Sequence, residues 1–187
     1  RRNAGEGADR HKTKGDWYLT DEEKANIELM SKTFKKSIVL LNVVSIDSTW
    51  IKGMKNLDAV MLIGNPGELG GIAVARNLNG TVNPSGHLVD TWADIEDYPS
   101  TKYFASEDKD DPYGSKVEYY GEGIYTGYRY FDKFAANKVI YDFGYGLSYT
   151  KFKIATKDVK IKNGYVNVKV KVTNTGKKYS GKEVVQV

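Results

Sequence analysis

The chain has no cysteine among its 187 residues, which excludes a disulfide framework and a thiolate metal site. Its two histidines, His11 and His87, stand far apart, and no His/Asp/Glu group shows metal-ligand spacing. No metal or other cofactor is therefore expected. Long apolar runs are missing too: SIVLLNVV at 37–44 falls well short of the ~20 residues that a membrane-spanning helix needs. No targeting segment is visible. The chain starts without methionine and reads as a piece of something longer, so cytoplasmic and secreted locations both stay open.

What is present is ordinary for a globular protein, with 40% hydrophobic and 28% charged residues. The net charge of +4 would suit an anionic partner, but lysine gathers in KDVKIKNGYVNVKVKV, where it alternates with Val and Ile. Period-two alternation is how a half-buried strand presents its wet face. The one aromatic of this stretch, Tyr165, follows the Asn163-Gly164 turn and none alternates with the lysines as a stacking platform, so no nucleic-acid partner is expected.

Secondary-structure signals divide the chain near residue 151. LTDEEKANIELMSKTFKK reads as a helix with Thr20 as N-cap, Glu23 closing a capping box, and Ile27, Met30 and Phe34 on one face. SIVLLNVV and DAVMLIG read as strands buried on both faces. SIDSTWIKGM reads as a short helix between them, and LGGIAVARNLNG as a helix closed by Gly80. Helices alternating with buried strands predict an α/β domain over 1–151, a mostly parallel sheet sandwiched by helices. Residues 81–150 loosen into turns and hold most of the fourteen tyrosines. From 152 to 187 the signals turn all-β, with Asn163-Gly164 as a hairpin turn, and suggest the first strands of an incomplete β-sandwich.

Several motif-like stretches fail on chemistry. GADRHKT ends in Lys12-Thr13, but His11 stands where a phosphate-binding loop needs glycine, and no strand leads into it. GNPGELGG follows a strand, yet it is not G-x-G-x-x-G and lacks the ribose-binding acid. Asn79-Gly80-Thr81 matches a glycosylation sequon that matters only in a eukaryotic secretory setting. Ser45, Ser85 and Ser148 lack the G-x-S-x-G turn of a serine hydrolase. The Gly5-Glu6-Gly7 stretch allows two readings: a solvated turn, or a carboxylate carried into a cleft by a permissive backbone.

RNAGEGADR, GDWYLTDEEKANI, VNPSGHLVDTW, DYPSTKYF, IYTGYRYFD and FGYGLSYTKF occur in the order found in glycoside hydrolase family 3, the β-glucosidase-type enzymes. The resemblance covers almost the whole chain, and GYRYFD followed by FGYGLSY is its most specific part. It implies an α/β sandwich domain over 1–151 and the start of a fibronectin-III-like module over 152–187. It also implies an enzyme, a retaining β-glycosidase acting on β-linked oligosaccharides or glycosides. In that family the glutamate of the G-E-G-x-D-R loop is the acid/base, here Glu6, and the nucleophile is an aspartate on a barrel domain with no counterpart in this chain. The isolated chain is then expected to be inactive.

Arg2, Asp16 and Trp17 are sugar-binding candidates, with a bracing or core role open for Arg2 and Trp17 and a plain turn role for Asp16. Asp9 and Arg10 are read as bracing the loop, because an arginine close to Glu6 would favour its ionised form. Departures stand at Leu69, where the family has glutamate, and at Ile72, Arg76 and Asp142. They bear on the inter-domain loop and on substrate preference. A non-catalytic carbohydrate-binding or scaffold domain of the same fold, and an α/β nucleotide-binding module, are the competing readings. Self-association into a homo-oligomer stays open.

Overall fold

The computed structural model describes residues 11–105 and 119–186. The described residues fall into two compact units, one drawn from Arg1–Gly70 and Asp90–Phe143, the other from Gly71–Val89 and Gly144–Val187.

In the first unit, helix α1 (Asp21–Thr33) starts where the sequence signals it. The Thr20 hydroxyl accepts from the Glu23 N–H (3.1 Å), and the Glu23 carboxylate accepts from the Thr20 N–H (2.8 Å). This reciprocal box satisfies two N–H groups that a helix start leaves unpaired. Asp21, Glu22 and Glu23 oppose the positive end of the helix dipole. The expected apolar stripe is only partly covered: Ile27 is half-buried, while Met30 and Phe34 are more than half exposed. Phe34 has also left the helix for an extended backbone, so it no longer follows the helical face.

Strands β1 (Ile38–Leu41) and β2 (Ala59–Leu62) pair in parallel, from Ile38 opposite Ala59 to Leu41 opposite Leu62. In β2, Val60 and Met61 on opposite faces are both half-buried, whereas for β1 the expected two-faced burial is corrected by the structure. Leu41 is buried and Val39 half-buried, whereas Ile38 and Leu40 on the opposite face are exposed. Side chains alternate across a strand, so covering one face protects only every second residue. The core continues past β1 through Val43 and Ile46, with Asp47 and Ser48 buried beside them. The helix expected over 45–54 shrinks to a 3₁₀ turn at Ile51–Gly53.

Helix α2 (Gly70–Leu78) follows β2, and Gly80 closes it at φ +76°, the left-handed cap that glycine favours. Gly70 packs against the Pro66 ring, leaving no room for a Cβ. Beyond Asp90 the first unit resumes. Trp92 and Tyr141 exchange backbone hydrogen bonds (2.8 and 3.1 Å). Helix α3 (Pro99–Tyr103) leads into β3 (Phe104–Ala105), which pairs antiparallel with β4 (Tyr119–Tyr120). Helix α4 (Tyr128–Tyr130) runs on into a π turn, Phe131–Ala135. Phe131 is wholly buried, with the rings of Tyr98 and Tyr130 edge-on at 5.3 and 5.6 Å.

The second unit carries the all-β signal. Strands β5 (Phe152–Lys162) and β6 (Tyr165–Asn174) form an antiparallel hairpin with a bulge between Thr156 and Asp158. Asn163 and Gly164 both take positive φ, +53° and +80°, as a two-residue hairpin loop requires. The architecture is α/β: a parallel strand pair with helices before and after it, followed by an antiparallel hairpin.

Candidate functional site

Arg2, Glu6, Asp9 and Arg10 lie outside the described residues; Asp16 and Trp17 lie within them, in the turn that follows. That turn is tightly wound. The His11 carbonyl accepts from the Thr13 N–H (2.8 Å) and the Trp17 N–H (3.3 Å), and the Thr13 carbonyl accepts from the Tyr18 N–H (3.1 Å). Gly15 closes the loop at φ +87°, donating its N–H to the Tyr18 carbonyl (2.9 Å). A residue with a Cβ is strained at that angle.

Side chains hold this turn to the rest of the first unit. The Asp16 carboxylate accepts the backbone N–H of His11 (2.5 Å), so it spans the turn from exit to entry. The Trp17 carbonyl accepts from the Asp47 N–H (3.2 Å), which ties the turn to the buried segment after β1. Lys12 reaches 84 positions along the chain to an ion pair with Glu96, in a 3₁₀ turn at Ile95–Asp97. The Glu96 carboxylate holds the Lys12 ammonium above its ordinary value. Both side chains are solvent-exposed, so the pair contributes orientation more than stability.

Tyr18 is the meeting point. Burial pushes its phenol above the ordinary value; Asp94, Asp47 and Glu96 push the same way, and Lys12 opposes them. The three acids have structural duties of their own. Asp47 accepts from the Thr49 N–H (3.0 Å) and hydroxyl (2.8 Å), Asp94 caps the Ile95–Asp97 turn through the Glu96 N–H (2.9 Å), and Glu96 pairs with Lys12. They form an acidic, hydrogen-bonded seat rather than a matched acid/base pair.

Asp90 lies nearby in sequence, and burial raises its carboxyl despite a hydrogen bond from the Trp92 indole (3.2 Å). A shallow basin of ≈ 450 Å³ sits at the C-terminal end of α1, lined by Phe34, Lys35, Lys55 and Asp58 among others. It has no pair of carboxylates to work together, since its one acid, Asp58, is engaged by Lys36. Among the described residues, no group of three His, Cys, Asp or Glu could hold a metal ion, and no helix is long and apolar enough to cross a membrane.

Lys12, Tyr18, Asp47 and Glu96 were not marked by the sequence as parts of one neighbourhood. Lys12 drew notice only within the phosphate-loop look-alike, and a contact across 84 residues leaves no local pattern.

The glycosyl hydrolase family 3 C-terminal domain matches residues 1–149. The chain belongs to that family. A β-glucosidase of Ruminococcus albus is 44% identical over 187 residues, covering all of this chain and 19% of that protein. The crystal structure of a β-glucosidase from Paenibacillus barengoltzii superposes with a TM-score of 0.80 at 42% identity, over 92% of this chain and 19% of that one. β-Glucosidase 3B from Thermotoga neapolitana, in complex with glucose, gives 0.76 at 40% identity, over 89% of this chain and 23% of that one. The chain thus spans about a fifth of the length of the curated relatives it matches.

Proposed function

We propose that this family 3 chain is part of a retaining β-glycosidase of the β-glucosidase type, and that it supplies Glu6 as acid/base. The observation that carries the reading is the Gly5-Glu6-Gly7-x-Asp9-Arg10 loop, present intact in a chain that belongs to the family. The substrate is a terminal β-linked sugar on an oligosaccharide or glycoside. The partner is a barrel domain carrying the nucleophilic aspartate, with the α/β domain over 1–151 and the fibronectin-III-like module starting at 152.

A retaining mechanism needs two carboxyl groups. One attacks the anomeric carbon and forms the glycosyl-enzyme, breaking the glycosidic bond. The other gives its proton to the departing oxygen, then takes one from the water that hydrolyses the intermediate. A free glutamate titrates near ~4.3, so the acid must be desolvated to hold its proton near neutrality. A Gly-Glu-Gly loop docked against a second domain meets that need. Arg10 would favour the ionised carboxylate if it faced Glu6, so Arg10 and Asp9 are assigned to bracing the loop. Trp17 offers a ring for stacking on a sugar, and Arg2 and Asp16 offer polar contacts.

The turn that follows supports this assignment. His11 begins five residues after Glu6 and is held by Asp16, Lys12 by Glu96, and Trp17 by Asp47. A loop that delivers a proton needs such an anchored base, because small displacements of a catalytic group are costly in rate.

The test is Glu6→Ala in the full-length protein. General acid catalysis is typically worth ~10²–10⁴ in rate, most of it when the leaving group is poor. Cleavage of a disaccharide should fall by that factor, while the glycosylation step with a dinitrophenyl glycoside should fall far less. Equal loss on both substrates would make Glu6 a turn residue and favour a carbohydrate-binding or scaffold role.

A further inference from the structure

Charge is divided unevenly along the chain. Residues 151–187 hold ten lysines against two acids, Asp158 and Glu183, whereas 1–150 hold eighteen basic and twenty-two acidic residues. The net charge of +4 is therefore +8 on the second stretch and −4 on the first.

The β5–β6 hairpin gathers this positive charge on one side. Its register sets Ile154 opposite Val172, Val159 opposite Val168 and Ile161 opposite Val166. Opposed residues share a face, so these aliphatic side chains form one face, and Lys153, Lys160, Lys162, Lys169 and Lys171 lie on the other. The bulge between Thr156 and Asp158 takes up Lys157 as an extra residue and keeps the alternation in phase. All five lysines are exposed, and the one acid on their face, Asp158, is paired with Lys160 (2.8 Å). In the proposed β-sandwich the aliphatic face is the one to be covered, which leaves the lysine face outward.

Solubility alone does not call for this arrangement, because a surface built to stay in solution intersperses both signs. Lysine also guards strand edges against addition of further strands. That duty needs charge along one edge, whereas here both strands contribute lysines to a common face. Lysines two apart on a strand stand ~6.7 Å from each other, and neighbouring strands ~4.8 Å, so the face is a row of like charges about 30 Å long. Such a row repels itself and attracts a chain that carries anions at regular intervals. Single-stranded nucleic acid is held by successive aromatic rings as well as by charge, and this face has one ring, Tyr165, at its turn end.

We propose that the lysine face binds an anionic polysaccharide, a linear glycan with a carboxylate on each sugar, and so holds the protein on polymeric material. The choice of a glycan rests on the glycosidase reading; the binding itself needs neither Glu6 nor the barrel.

Polygalacturonate and its fully methyl-esterified form are the probes, with binding to the full-length protein followed by calorimetry. Polygalacturonate should bind at low salt, and the ester, which keeps the backbone without the charge, should not. Raising salt from ~50 to ~200 mM should weaken binding by at least about tenfold, as counterion release at a few lysines requires. Lys153→Gln, Lys162→Gln, Lys169→Gln and Lys171→Gln together should cost at least about tenfold in affinity and leave the protein no less stable, since the lysines repel one another. Glu6→Ala should bind as the wild type does, so a failed acid/base assignment and a failed binding face are told apart. The proposal is overturned by no binding of polygalacturonate at low salt, by equal binding of the ester, or by full affinity in the four-lysine variant. A four-lysine variant that unfolds, or a wild type that takes single-stranded RNA in preference to polygalacturonate, overturns it as well.

Discussion

The Tyr98 hydroxyl spans the backbone on both sides of Trp92: it donates to the Thr91 carbonyl (2.5 Å) and accepts from the Ala93 N–H (3.3 Å). Thr91, Trp92 and Ala93 are all buried, so these backbone groups have no access to solvent as an alternative partner. Tyr98→Phe keeps the ring contact with Phe131 and removes both hydrogen bonds. It should cost ~1–3 kcal/mol, the penalty for stranding buried polar groups, read from denaturant midpoints at neutral pH.

The same residue sets an alkaline limit. Burial pushes the Tyr98 phenol above its ordinary value, so the folded state favours the neutral form. Stability from this group is complete below about pH 10 and lost as pH rises through the folded value. Tyr98→Phe should therefore flatten the alkaline fall in stability, leaving the share due to Tyr18, which burial also raises. An unchanged alkaline limb would remove Tyr98 from its cause.

Asp58 makes a small contribution on the acid side. Its carboxylate takes the Lys36 ammonium (2.5 Å) and the Ser37 N–H (2.9 Å), and these hold its pKa below the ordinary value. Its contribution is complete above the usual carboxylate range near ~3.9 and disappears as pH falls through the lower folded value. Asp58→Asn should weaken the junction between α1 and β2 at neutral pH and make the wild-type and variant stabilities converge at low pH. Stability curves that stay parallel down to about pH 2 would contradict this.

Gly80 closes α2 at φ +76°, and a Cβ there would approach the Tyr179 hydroxyl to 3.1 Å. Gly80→Ala meets both the left-handed backbone penalty and that contact, and should cost ~1–2 kcal/mol in thermal or chemical unfolding. Gly53 has ordinary φ and open space around its missing Cβ, so Gly53→Ala serves as the control with little or no loss.

Local chemistry made much of this fold legible. The Thr20–Glu23 box, the glycine after α2 and the Asn163-Gly164 turn each fix a backbone conformation within a few residues. Burial was less legible, because an apolar run such as Ile38–Leu41 states what a strand can cover and not how many faces are covered. The neighbourhood of the candidate site was the least legible. Lys12 with Glu96, and Tyr18 with Asp47 and Asp94, are brought together by the fold across long separations that leave no trace in local spacing. The role proposed for Glu6 rests on the family resemblance, since the Gly5-Glu6-Gly7 stretch by itself allows a solvated turn as well.

The central claim is that Glu6 gives and takes the proton. The most direct measurement is azide rescue of Glu6→Ala in the full-length protein, using dinitrophenyl β-glucoside. Its good leaving group lets the glycosyl-enzyme form without an acid, after which hydrolysis stalls for want of a base. Azide is a nucleophile that needs no deprotonation. The account predicts that azide restores turnover and yields a glycosyl azide of retained β configuration. No azide product and no rescue, in a folded Glu6→Ala protein, would place the acid/base elsewhere.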